Sequence, residues 1–441
     1  MKGLVISAPM SGSGKTTVTL GLLSVLRNRG IPVQPFKVGP DFIDAGLHEI
    51  AAGVPSHNLD GWMLSRETNE CLFGTASKSK EVAVVEGVMG LFDGFDGATD
   101  RGSTAEMAKW LDLPVILVVD AHSMARSAAA LIRGFREFDP GVKIAGIIFN
   151  RVGSKGHYEI LQDAVHDVPL LGYLPADLSI EIPERHLGLL TAKEETTVAK
   201  IRSIGEFFAK HINLDVVLST VGAVVPEGKR KRGSAQPPET AAPTVRNKRV
   251  ALAHDKAFSF YYYANRMALE EAGADIIEFS PIADEELPEA DVLYIGGGYP
   301  ELYRAELEAN ASMRASVKRF IESGRTFYAE CGGLMYLAES IDGARMVGVL
   351  PVKIEMTDRL VDFGYCEITT QGASIFGPAG ITARGHQFHY SRAVGGTGQA
   401  YTVRQRQREY SEGYVFPNGI ASYIHLHFLS NPAIAKNMLQ S

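Results

Sequence analysis

Along the first half of the chain, short apolar runs alternate with stretches whose apolar residues recur at helical spacing. The runs are Leu4 to Ile6, Pro32 to Lys37, Glu81 to Gly87, Leu113 to Asp120, Lys143 to Asn150 and Gly172 to Pro175. Several carry a polar residue at the carboxyl end: Glu86, Asp120 and Asn150. The first helix opens at Gly14-Lys15-Thr16 and continues through Val18, Leu20, Leu22, Leu23 and Leu26. Buried strands alternating with helices predict an α/β fold built on a doubly wound parallel sheet.

From about residue 215 to 247 the pattern weakens. Lys229-Arg230-Lys231-Arg232 and the Pro/Ala/Thr-rich stretch Gln236 to Thr244 have the composition of a solvated linker. A second α/β pattern then restarts. Arg249 to Ala253, Ala274 to Phe279, Val292 to Ile295 and Thr326 to Glu330 are strands, Tyr263 to Ala272 is a helix, and another helix begins near Leu334. Beyond Val352 the chain is richer in β pattern. The expected organisation is a first domain over 1–215, a linker over 216–247 and a second domain over 248–441.

Length agrees with two domains, because 441 residues exceed one ordinary core. A net charge of -7 gives no reason to expect a nucleic-acid partner. No apolar run approaches the ~20 residues of a membrane span, and no export signal opens the chain. Three cysteines, Cys71, Cys331 and Cys366, make neither a disulfide framework nor a paired metal site, so a reducing cytoplasm is expected.

Candidate chemistry lies at the turns after strands. The loop Ala8 to Thr17 joins the first strand to the first helix, and Ser11, Gly12, Ser13, Gly14, Thr16 and Thr17 can wrap a phosphate while Lys15 supplies a cation. The first glycine of the G-x-x-x-x-G-K-[ST] pattern is Pro9 here. Thr16 is placed to ligate Mg²⁺, which takes one or two carboxylates besides. Asp41, Asp44, Glu86, Asp93 and Asp120 are the candidates, with Asp41 and Glu86 preferred as metal ligands and Asp44 and Asp93 as organisers of phosphate or substrate. Asn150, also at a strand end, can read an adenine edge.

In the second half, Cys331 sits on a sharp strand-to-helix turn between Glu330 and Gly332. Such a turn exposes a nucleophile, and the helix N-terminus is expected to lower the thiol pKa. Gly332, with Gly297 and Gly298, can donate backbone N–H groups to an oxyanion. A histidine base is expected from His425 and His427, two residues apart near the C-terminus, or from His386 and His389. The aromatic run Phe258 to Tyr263 serves either packing or ligand contact.

These motifs carry a resemblance. The chain resembles the cobyrinic acid a,c-diamide synthases through Ala8 to Thr16, Lys37 to Asp44, Glu86 to Gly94, Pro183 to Leu189, Gly296 to Pro300, Arg384 to Ser391 and Tyr423 to Phe428. The first half is similar to the dethiobiotin-synthetase type of P-loop nucleotide domain, a group that also lacks the strict first glycine. The second half is similar to class I glutamine amidotransferases, which have a flavodoxin-like fold. Ordinary members carry a Cys-His-Glu triad with Glu two residues after His; that position here is His427. The resemblance implies a Cys331–His425 dyad, ATP with Mg²⁺, L-glutamine as nitrogen donor and cobyrinic acid or a related tetrapyrrole as acceptor. It implies acyl phosphate chemistry, with hydrogenobyrinic acid and nickel-sirohydrochlorin as alternative acceptors. A homodimer is left open. A non-catalytic ATP-switched partner protein is the rival of another class; such proteins usually carry a lysine at the position of Met10.

Overall fold

A computed structural model describes residues 2–180, 195–222, 247–396, 398–406 and 408–441. The first half runs β1 (Gly3–Ser7), α1 (Lys15–Asn28), β2 (Val33–Val38), α2 (Phe42–Ala52), β3 (His57–Leu59), α3 (Arg66–Ser77), β4 (Val82–Glu86) and α4 (Thr104–Trp110). It continues through β5 (Val115–Asp120), α5 (Ser127–Phe138), β6 (Ile144–Val152), α6 (Lys155–Ala164), β7 (Leu170–Pro175), α7 (Glu195–His211) and α8 (Leu214–Thr220). The seven strands form one parallel sheet in the order β3-β2-β4-β1-β5-β6-β7.

Alternation along each strand fills both faces of this sheet. Leu4, Ile6, Val84 and Val118 point to one side, where Val18 and Leu22 of α1, Leu47 of α2, Phe208 of α7 and Val217 of α8 cover them. Val5, Val85, Leu117 and Val119 point to the other, against Phe73 of α3, Met107 of α4, Ile132 of α5 and Leu161 of α6. Helix α8 crosses the boundary drawn at residue 215, because Leu214, Val217 and Leu218 recur at helical spacing and bury in the same core. The remainder of the expected linker that carries Lys229–Arg232 and Gln236–Thr244, and the motif Pro183–Leu189, lie outside the described residues.

The second half begins with β8 (Lys248–Ala253), β9 (Phe258–Phe260), α9 (Tyr263–Glu271), β10 (Ala274–Phe279), β11 (Val292–Ile295), β12 (Gly297–Gly298), α10 (Arg304–Ala309), α11 (Ala311–Glu322), β13 (Thr326–Glu330) and α12 (Gly332–Leu337). Then follow β14 (Ala338–Ile341), β15 (Ala344–Arg345), β16 (Leu350–Met356), β17 (Asp362–Thr370), β18 (Thr382–His389) and β19 (Ser391–Val394). The chain closes with β20 (Tyr401–Gln405), β21 (Arg408–Glu412), β22 (Tyr414–Phe416), β23 (Gly419–Ser422), β24 (His425–Leu426) and α13 (Ala433–Gln440). A six-stranded sheet in the order β10-β8-β11-β13-β23-β22 is parallel except for its last pair. The β-rich stretch beyond Val352 supplies a five-stranded antiparallel sheet, β21-β20-β17-β18-β24, and part of a smaller one.

The two halves meet through polar and aromatic contacts. Tyr365 stacks on Trp62 at 4.9 Å, and its hydroxyl donates to Asp60 Oδ2 at 2.7 Å. Arg384 donates to the Trp62 carbonyl at 3.0 Å. Among the described residues no helix is long and apolar enough to cross a membrane.

Candidate active site

Strand register builds the first site. Lys37 on β2 lies beside Glu86 on β4, which lies beside Ile6 of β1, so the ends of three strands converge below the Ala8–Gly14 loop. Lys37 Nζ lies 2.7 Å from Asp44 Oδ2 and 2.9 Å from Glu86 Oε1. His48 Nε2 lies 2.7 Å from the other Glu86 oxygen. Burial alone would raise the Glu86 carboxyl; Lys37 and His48 hold it well below the usual carboxylate range. Burial opposes the Lys37 charge too, yet Asp44 and Glu86 keep it above the ordinary lysine value.

The loop meets this cluster through two side chains. Thr16 donates to Glu86 Oε1 at 2.7 Å. Lys15 Nζ donates to the carbonyls of Met10 at 3.3 Å and Met89 at 2.5 Å, and burial, then Lys37, lower its pKa to about 8. Gly12 and Gly14 both take positive φ, 77° and 95°, and Gly14 caps α1 in the left-handed region. A Cβ on Gly14 would collide with the Asn150 amide, which donates to the Ser13 carbonyl at 3.0 Å. One Asn150 N–H thus ties the strand end to the loop.

The carboxylates divide. Asp44 and Glu86 share Lys37. Asp41 caps α2 by accepting from the Asp44 N–H at 3.0 Å. Asp93 accepts from the Gly90 N–H at 2.9 Å. Asp120 lies apart from the cluster, paired with Arg151 at 2.6 Å. Lys37 and His48 were not among the candidates; a lysine closing an apolar strand was the signal for the first. Among the described residues no three His, Cys, Asp or Glu side chains gather to hold a metal ion, the four candidate histidines included. A hydroxyl beside one or two carboxylates is nonetheless the donor set that suits Mg²⁺, whose remaining positions go to water and phosphate.

The second site forms where β11 and β13 end side by side, Ile295 opposite Ala329. Cys331 follows β13 with φ 47° and ψ -101°, a strained conformation for a residue with a side chain, and caps α12. Its N–H donates to the Ser422 carbonyl at 2.7 Å. Gly332 faces the Gly298 N–H, 3.1 Å from where its Cβ would be, so two candidate oxyanion donors sit together. A Cβ on Gly297 would strike His425 Cε1, so that glycine makes room for the imidazole. The turn after Cys331 thus sets Gly332 against Gly298, and His425 packs on the adjoining Gly297.

The thiol departs from expectation. Burial, then the nearby Glu301, push its pKa up to about 12, because the short α12 does not offset desolvation. Burial likewise lowers His425 to about 3, so the resting pair is a neutral thiol and a neutral imidazole. His427 is also buried, and both its ring nitrogens lack hydrogen-bond partners. His389 stacks on Tyr423 at 4.0 Å, whereas His386 stacks on His425 at 4.9 Å. Within the aromatic run, Tyr261 accepts from the Gly296 N–H at 2.8 Å, and Tyr262 lies 4.7 Å from Phe42.

Comparison with known proteins matches each half of the chain to a domain family. A family model described as the CobQ/CobB/MinD/ParA nucleotide binding domain matches residues 4–190, and one described as the CobB/CobQ-like glutamine amidotransferase domain matches residues 249–433. The chain is 42% identical over 454 residues to a cobyrinate a,c-diamide synthase of Listeria monocytogenes serotype 4b (strain F2365), covering 99% of each. The chain belongs to the cobyrinate a,c-diamide synthase family. It is 44% identical to the family member of Syntrophotalea carbinolica, covering 98% of this chain and 97% of that one. It is 40% identical to the member of Salmonella typhimurium, covering 99% and 97%.

Proposed function

We propose that this chain uses ATP and glutamine to amidate the a and c side-chain carboxylates of cobyrinic acid. The observation that carries the reading is the presence, in one chain, of a phosphate loop over the Lys37–Asp44–Glu86 cluster and an elbow cysteine whose neighbour Gly332 faces Gly298, with His425 packed on the adjoining Gly297. Full-length relatives named cobyrinate a,c-diamide synthase support the choice of acceptor.

In the second domain, Cys331 Sγ attacks the glutamine side-chain amide carbon. The neutral His425 takes the thiol proton and delivers it to the departing nitrogen, releasing ammonia and leaving a glutamyl thioester for water to cleave. Gly298 and Gly332 N–H groups stabilise the oxyanion. In the first domain, a carboxylate oxygen of the acceptor attacks the γ-phosphorus of ATP, giving an acyl phosphate and ADP. Ammonia displaces the phosphate to form the amide, and the cycle repeats on the second carboxylate. Phosphorylation is required because a free carboxylate has no good leaving group.

Lys15 and the loop N–H groups position and neutralise the phosphates. Thr16 and Asp41, with Glu86, would hold Mg²⁺, which supplies charge neutralisation on the transferred phosphoryl group. Lys37 pairs with Asp44 and holds Glu86 in its ionised form.

The test is to offer cobyrinic acid, hydrogenobyrinic acid and nickel-sirohydrochlorin side by side with ATP and glutamine. Cobyrinic acid is expected to give the diamide with the highest kcat/KM. Preference for either of the others would reassign the acceptor.

A further inference from the structure

His425 poses an orientation problem. Its Nδ1 is buried and has no hydrogen-bond partner, and the residue two positions on is His427, whose ring nitrogens are also unpartnered. No hydrogen bond at Nδ1 therefore fixes the ring. A base that must accept a proton from Cys331 needs its imidazole held all the same.

Ring packing takes that part. On one side His386, opposite His425 in the β18–β24 register, stacks on it at 4.9 Å and 17°. The His386 ring is itself fixed by a 2.6 Å hydrogen bond between its Nδ1 and the Tyr262 hydroxyl. The Cε1 edge faces Gly297. A further ring contact is Phe42, whose centroid lies 5.1 Å from that of His425 at 54°. Phe42 belongs to the other half of the molecule. It also meets Phe260 at 5.4 Å, Tyr262 at 4.7 Å and His386 at 5.4 Å, so its side chain is enclosed by rings of the second domain.

Its backbone is held by the first site. Phe42 opens α2 directly after Asp41, whose carboxylate caps the helix at the Asp44 N–H. Asp44 in turn is paired with the buried Lys37. The residue that closes the ring cage on the base is thus anchored by the cluster that would organise phosphate.

We propose that Phe42 is a positioning residue for glutamine hydrolysis, supplying from the nucleotide domain the contact that orients the His425 imidazole. This rests on the reading of Cys331 and His425 given above. Interdomain adhesion alone would also place an aromatic residue here, so the test must separate orientation from stability.

The experiment uses the full chain with ATP and acceptor present, comparing glutamine hydrolysis with amidation driven by added ammonia. In Phe42→Ala the glutaminase kcat is expected to fall about tenfold or more, with KM for glutamine and ammonia-driven amidation changed by no more than about twofold. Phe42→Leu keeps apolar volume without a planar face, and is expected to show the same kcat loss should the alanine variant fail to fold. Phe42→Tyr restores an aromatic face and is expected to stay within about threefold of the parent. A folded alanine or leucine variant with parental kcat would overturn the proposal, as would an equal loss with both nitrogen sources. Cys331→Ala serves as the control: if the parent hydrolyses glutamine no faster than this variant, the reading of Cys331 fails, and the role of Phe42 falls with it.

Discussion

Glu330 Oε1 accepts a hydrogen bond from the Leu426 N–H at 2.9 Å, tying the residue before the nucleophile to the residue after the base. The same carboxyl accepts from the Tyr328 hydroxyl at 2.7 Å and the Tyr294 hydroxyl at 2.9 Å. Burial pushes it up to about 7 despite these donors. Glu330→Leu removes both oxygens, leaving the buried Leu426 N–H without an acceptor. It should cost about 1–3 kcal/mol of stability and lower glutaminase activity more than ammonia-driven amidation. Urea unfolding and the two assays check this; unchanged values would mean the tie does not hold the dyad.

Cys331 should be a slow thiol at rest. With its pKa pushed up to about 12 by burial and Glu301, it carries little thiolate at neutral pH. At pH 7.5, without glutamine, iodoacetamide should alkylate the exposed Cys71 faster than Cys331, as followed by peptide mass spectrometry. Faster labelling of Cys331 would show a thiolate already formed.

The buried lysine of the first site is structural as well as electrostatic. Lys37→Met leaves Asp44 and Glu86 buried without their cation, and should destabilise the fold by about 3–5 kcal/mol. Arg29→Met, which breaks an exposed pair with Asp215, should change stability by less than about 1 kcal/mol. Urea midpoints of the two variants make the comparison.

His427 should make the fold acid-sensitive. Burial lowers its pKa from the ordinary 6.5 to about 3. Between those values the unfolded chain binds a proton that the folded chain refuses, so this contribution to stability is present above pH 6.5 and lost as pH falls toward 3. His427→Phe removes the titration and two unpartnered nitrogens. Its stability relative to the parent should therefore improve on going from pH 8 to pH 5, read from urea midpoints at each pH. An equal difference at both pH values would contradict this.

Much of the architecture was legible in the sequence, for physical reasons. Runs such as Val82 to Val85 are buried on both faces and so read as uninterrupted apolar segments. Gly14, Lys15 and Thr16 announced the loop because few other needs place those residues after a strand. Lys37 was hidden because Glu86 comes beside it only through strand register, and Asp44 only through the turn into α2. Phe42 was hidden for a similar reason, since the rings around it lie more than two hundred positions away. The sign of the Cys331 shift was misread because a helix N-terminus is visible in sequence whereas burial is not. The boundary at residue 215 cuts α8 because a seven-residue helix carries too little apolar periodicity to stand out in sequence.

The central claim, two sites joined by ammonia, is tested most directly by measuring amidation of cobyrinic acid by Cys331→Ala and Lys15→Ala, each with glutamine and with ammonia. The account predicts that Cys331→Ala loses glutamine-driven amidation and keeps the ammonia-driven reaction, while Lys15→Ala loses both. Loss of both reactions in a folded Cys331→Ala, or unchanged turnover in Lys15→Ala, would contradict it.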